Sequence, residues 1–149
     1  MISWKMIERS YKAILRKVGD PPIRLVQSGD FYRTTGARLG DFSGRCSIPL
    51  RIITVNRNRS LGHIKNTLWH EIAHVLFPSR PHWWIECFAS KMSGSGECGS
   101  WIKVEDGIQT SGAACGRYSA RYCKSKDDLP SRPRLLELAR KSSARTKGE

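Results

Sequence analysis

Apolar positions in this chain recur with two different periods. Over residues 2–17 they fall at helical spacing. Ile2, Met6 and Ile14, with Trp4 and Tyr11, mark one side, and Lys5, Arg9, Lys12, Arg16 and Lys17 the other. This predicts an amphipathic helix that Gly19-Asp20-Pro21-Pro22 stops. Ile23-Arg24-Leu25-Val26-Gln27 reads as a short strand. A Gly- and Arg-rich zone follows, in which residues 30–35 and 37–42 are expected to pair as a hairpin around Gly36. Ile48 and Arg51-Ile52-Ile53-Thr54-Val55 form the clearest strand, rich in β-branched residues. After a turn over residues 56–60 the helical period returns, with Ile64, Leu68, Ile72 and Val75 on one face. Ser60 is the expected N-cap of this helix, which should run from about Leu61 to Phe77. Pro78-Ser79-Arg80-Pro81 is a short, stiff connection to a second helix from His82 to about Met92, broken by Gly94, Gly96 and Gly99. Residues 101–104 suggest one more strand. Residues 135–140 suggest a last short helix, and residues 141–149 a polar, basic tail without order. The expected class is α+β. One domain spans 1–128, of which 98–128 is an irregular or degenerate zinc-binding part, and a basic helix and tail span 129–149.

Charge narrows the choice of partner. The net charge is +13, distributed as +8 over residues 1–60, zero over 61–100 and +5 over 101–149. A neutral centre between basic flanks favours a polyanion, most plausibly nucleic acid. Arg57 and Arg59, in the turn before the central helix, are candidates for phosphate contacts. No apolar run approaches the roughly 20 residues a membrane helix needs. The first twelve residues mix charges among the apolar positions and lack the core of a signal peptide, so a cytoplasmic location is expected; the expected oligomeric state is a monomer. Five cysteines, an odd number with no C-x-x-C, fit reduced thiols better than a disulfide framework.

The central helix carries chemistry. Trp69-His70-Glu71-Ile72-Ala73-His74 contains H-E-x-x-H. Residues four apart on a helix lie one above the other, so His70 and His74 can point two imidazoles at one metal ion. Glu71, one residue on, can reach a water beside that ion and act as general base. His63, nearer the helix start, reads as an exposed histidine. A catalytic zinc takes three protein ligands and keeps one position open. Two residues compete for the third place: His82, eight positions after His74, and Glu86, one helical turn further. Whichever is not the ligand would orient one that is.

Asn66-Thr67-Leu68-Trp69-His70-Glu71-Ile72-Ala73-His74-Val75-Leu76, followed by Pro81-His82, resembles the SprT-like metallopeptidases, which include Spartan-type DNA-dependent proteases and small bacteriophage members. Met92-Ser93-Gly94-Ser95-Gly96-Glu97-Cys98 fits the Gly-containing helix end and cysteine that often follow in that family. The resemblance covers about residues 48–98. It implies a zincin-like minimal domain, a small mixed sheet packed on the H-E-x-x-H helix and the next helix. It also implies His70, His74 and His82 as ligands of Zn2+, and Glu71 as the catalytic base. The strand before the metal helix would be the edge along which an extended substrate lies. Two features depart from the family. Trp83 and Trp84 follow His82 where Gly is usual, and Cys98, Cys115 and Cys123 lack zinc-ribbon spacing. Those cysteines read as buried thiols or as a rearranged second metal site. Glu86-Cys87-Phe88-Ala89 also looks like the Glu-x-x-Ala of ImmA/IrrE-type metallopeptidases, in which the Glu is the ligand.

The expected activity is that of a zinc metalloendopeptidase hydrolysing proteins associated with nucleic acid, with DNA the expected partner of the basic flanks, and with Trp83 and Trp84 either at the mouth of the site or in the core. Two rivals stand beside it: a nucleic-acid-binding module with a structural zinc, and an ImmA/IrrE-type regulatory peptidase using Glu86.

Overall fold

A computed structural model describes residues 1–38, 40–94 and 129–148. Helix α1 (Trp4–Lys17) begins where Ser3 accepts a hydrogen bond from the Met6 amide, and ends before Gly19 and Asp20, both at positive φ. Ile7 and Ile14 are its buried residues, while Lys5, Arg9, Lys12 and Arg16 form an exposed stripe, as the helical period requires. Strand β1 (Arg24–Leu25) follows.

Residues 28–35 form a helix, not half of a hairpin. Helix α2 (Ser28–Thr35) buries a single large side chain, Phe31, and Gly36 closes it at φ 70° by donating its N–H to Tyr32 O. Phe31, Tyr32, Thr34 and Thr35 favour strands locally, but this left-handed glycine and one buried aromatic decide for a helix. The strand of this zone lies later, as β2 (Gly44–Ser47). It is joined by a tight turn, in which Arg51 takes φ 54°, to β3 (Ile52–Val55). Ile48, expected in the strand, is in that turn and 39% exposed.

The sheet has the order β1-β3-β2, with β1 parallel and β2 antiparallel to β3. All four residues of β3 are buried. Among the described residues, the strand before the H-E-x-x-H helix is therefore central, and the edge beside that helix is β2, which corrects the expectation that β3 would offer the open edge. β-branched residues on both faces read as a strand but do not say which neighbours will pair with it.

Helix α3 (Leu61–Leu76) is capped by Ser60, whose Oγ accepts from the His63 amide at 3.2 Å, as predicted. Ile64, Leu68, Ile72 and Val75 are buried, but so is every residue from Thr67 to Ala73. This half of the helix is enclosed on all sides, by β2 and β3, α1, α4 (His82–Ser93) and α5 (Arg132–Lys147). A helix in that position carries polar groups only where they have partners. Helix α4 ends at Gly94, φ 73°. Trp84 is core: it stacks on Phe88 at 5.5 Å and meets Phe77 edge-on at 5.0 Å, while Trp83 is partly buried.

The C-terminal segment also differs from expectation. Instead of a short helix and a loose tail, α5 is ordered to Lys147. Leu135 and Ala139 enter the core, and Ser142 and Ser143 are buried. Ser143 donates to Gly19 O at 3.1 Å and Arg140 to Lys17 O at 3.0 Å, so the helix is fastened to the end of α1. Polar composition suggested disorder; hydrogen bonds to a partner more than a hundred residues away supply the order. Five helices and a three-stranded mixed sheet, among the described residues, are compatible with the α+β class. No described helix is long and apolar enough to cross a membrane. The strand expected at 101–104 and the cysteines at 98, 115 and 123 lie outside the described residues.

Candidate metal centre

His70 and His74 stand one turn apart on α3, and His82 opens α4. Pro81 sets the start of α4 at extended backbone, which turns the chain back so that His82 faces the first pair. The ring centroids of His70 lie 4.7 Å from those of both His74 and His82, and His74 and His82 are 5.4 Å apart. One nitrogen of each falls within 4.8 Å of the others, a group that could hold a metal ion. The Nε2 atoms of His70 and His74 are 3.0 Å apart. Two nitrogens held about 2.1 Å from one tetrahedral ion would be roughly 3.4 Å apart, so the donor set fits such an ion with a small adjustment.

Protonation favours the same reading. Burial, and then the neighbouring His70, push His74 down to about 3; burial, His70 and His74 push His82 down to about 3. Both are therefore neutral near pH 7, the form that ligates metals. His70 and His82 are each 6% exposed, so water does not compete freely for their lone pairs.

Two carboxylates border the imidazoles. Glu86 Oε1 lies 3.2 Å from His70 Nδ1 and 3.1 Å from His82 Nε2. The first contact fits a carboxylate that holds the N–H of a ligating imidazole and turns its other nitrogen to the ion. The second brings Glu86 to the His82 ring, so both competitors for the third place are at the centre. Glu71 is 2% exposed, with Oε1 3.9 Å from His70 Nε2. Burial raises its pKa above the usual carboxylate range; the charge of His70, a hydrogen bond from the Cys46 thiol and the charge of Arg45 pull it back, while Glu86 adds to the rise. A carboxylate shifted upward by its surroundings is suited to take and return a proton near neutral pH.

The surroundings of Glu71 were not legible in the sequence. Strand β2 lies over it so closely that a Cβ on Gly44 would come 2.4 Å from Thr67 Cγ2, 2.9 Å from Thr54 O and 3.3 Å from Glu71 Cγ. Gly44 permits the approach, and Cys46, two residues on and so on the same face, reaches Glu71. The signal was the pair of small residues at strand spacing, Gly44 and Cys46, but nothing local marked that stretch as a strand.

The remaining expected residues lie elsewhere. His63 Nε2 is 2.8 Å from Ser43 Oγ, outside the imidazole group. Arg57 donates through Nε to Ile2 O at 2.9 Å, and Arg59 pairs with Asp41 at 3.1 Å.

Comparison of the chain with protein-family models, curated proteins and solved structures gives no match.

Proposed function

We propose that this protein is a zinc-dependent peptidase of the SprT-like kind, acting on proteins associated with nucleic acid. The observation that carries the reading is the convergence of three imidazoles, with the buried carboxylate of Glu71 beside them. A bound zinc would supply Lewis-acid polarisation of the scissile carbonyl and lower the pKa of a water. His70, His74 and His82 would hold the metal, and Glu86 would orient the His70 ring through Nδ1. Glu71 would take the proton of the attacking water and deliver it to the leaving amine. Strand β2 runs next to Glu71 at the edge of the described sheet, and an extended substrate would add along it. The positive charge outside the central segment would keep the enzyme where bound proteins are its substrates.

The contact of Glu86 with His82 favours one second reading, an ImmA/IrrE-type regulatory peptidase in which Glu86 itself ligates the metal. Zinc content, zinc affinity and protein cleavage, with and without DNA, separate these possibilities. Glu71→Gln should keep zinc and lower cleavage about 100- to 10,000-fold, the usual range for a lost general base. Unchanged cleavage would rule out the peptidase. His82→Ala should abolish tight zinc binding, whereas Glu86→Gln should weaken it only about 10- to 100-fold. The reverse order would make Glu86 the ligand. A structural zinc would be bound by the native chain without any cleavage.

A further inference from the structure

The α3–α4 turn has a second neighbour besides the metal centre. Phe77, Pro78 and Arg80 form one wall of a groove of about 250 Å³, and Leu138, Lys141 and Arg145 of α5 form the other. Among the described residues, three cations line it and no carboxylate does. Arg80 is held in place by the Trp84 ring, with its guanidinium 4.7 Å from the ring centre. Arg145 gives one N–H to Ser142 Oγ at 3.0 Å, which steadies the guanidinium and leaves its other donors to face the groove. Lys141 Nζ lies 3.5 Å from Glu137 Oε1, but both side chains are more than half exposed, and a pair of that kind is weak and screened. Arg57 and Arg59 differ, their guanidinium groups being engaged by Ile2 O and Asp41.

We propose that this groove binds single-stranded nucleic acid, with Arg80, Lys141 and Arg145 on its phosphates and Phe77, Pro78 and Leu138 under an unstacked base. Charge selects a polyanion, and the apolar floor selects the strand form. A free phosphate has no use for such a floor, and a duplex keeps its bases stacked inside, whereas a single strand can lay a base on apolar side chains between cations. The inference rests on the reading above only in joining nucleic acid to a peptidase; the binding needs no catalysis. The groove starts at Leu76, two residues after His74, and its turn wall ends at Arg80, two residues before His82. A strand held there would lie along the chain segment that connects the metal ligands.

The test is fluorescence anisotropy of labelled oligo-dT and oligo-rU, against a duplex of equal length, with the full chain carrying Glu71→Gln. Single strands should bind more tightly than the duplex, with affinity falling as salt rises, about 0.7 in log–log slope for each phosphate neutralised. Lys141→Glu with Arg145→Glu should weaken binding by about tenfold or more and flatten the slope by about 1.4. Lys5→Glu with Arg9→Glu makes the same charge change on α1 and should weaken binding several-fold less. Circular dichroism confirms that both double variants fold, and the neutral Arg145→Gln provides a milder variant with a smaller loss in the same direction. Equal effects of the two double variants would overturn the proposal, as would tighter binding of the duplex or no binding. Cleavage is measured separately on the native chain, so failure of the peptidase reading and failure of the groove are distinct outcomes.

Discussion

The candidate metal centre and the groove share one turn of chain and are built in opposite ways. The centre takes all its groups, from His70 to Glu86, from seventeen consecutive residues, and it is largely buried, with His74 and His82 held neutral. The groove joins Arg80 to Lys141 and Arg145, about sixty residues away, and it is open and cationic. Burial strips competing water from the imidazoles, which is what a metal site needs. Exposure keeps the cations of the groove solvated, and a nucleic acid bound there would shed its own condensed counterions. One turn thus has a dry side and a wet side. The difference teaches that chemistry demanding fixed geometry is placed on neighbouring helical turns, while chemistry demanding only charge density can be assembled from distant segments.

The largest expected difference between the two regions appears with pH in the metal-free protein. His74 and His82 are held near 3 by burial, against an ordinary 6.5. The unfolded chain therefore binds their protons first. Their contribution to stability is present above about 6.5 and is lost as pH falls toward 3. Stability should rise with pH across that window, by at most about 1.4 kcal/mol per unit for each histidine. Glu71 acts in the opposite sense, because its raised pKa makes ionisation costly, and stability is lost as pH rises through its folded value. With chelator present, Glu71→Gln should therefore be more stable than the native chain at neutral pH, and the gap should close in acid. Urea unfolding from pH 4 to 8 measures both, and a flat profile would mean that the imidazoles are not buried as neutral donors.

Smaller in size is the effect of Gly44→Ala. The added methyl meets Thr67 and the backbone oxygen of Thr54, so β2 must shift away from Glu71. The expected cost is about 1–3 kcal/mol, together with reduced cleavage. Oligonucleotide anisotropy should not change, because β2 takes no part in the groove. A loss of oligonucleotide binding in this variant would show the two regions to be one.

Ser143→Ala is the mildest and acts from the other side. It removes the hydrogen bond from Ser143 to Gly19 O and loosens α5 against α1. About 1 kcal/mol of stability should be lost. Zinc affinity measured by competition with a chromogenic chelator should be unaltered. A fall in zinc affinity would mean that α5 supports the metal centre as well as the groove.

The elements read correctly from the sequence are those whose signals are local. The helical period and cap placed α1 and α3, with Ser60 at its N-cap, and the proline pair placed the start of α4 at His82. The elements read wrongly depended on distant partners. Residues 28–35 became a helix under Phe31 and Gly36, and residues 141–147 were ordered by contacts with Lys17 and Gly19. The position of β3 at the centre of the sheet, and hence β2 at its edge, is a matter of pairing between segments, which periodicity does not encode.

By itself, the sequence determined that His70 and His74 would share a face with Glu71 beside them, because the i, i+4 geometry of a helix is local and nearly invariant. It also set the neutral centre between basic flanks. Tertiary structure decided the rest. Folding α4 back on α3 brought His82 and Glu86 to the imidazoles, and the missing side chain of Gly44 let β2 close over Glu71. Docking of α5 turned scattered cations into a lined groove. Those outcomes depend on packing between residues far apart in the chain, where steric fit and buried hydrogen bonds, rather than local spacing, select among the alternatives.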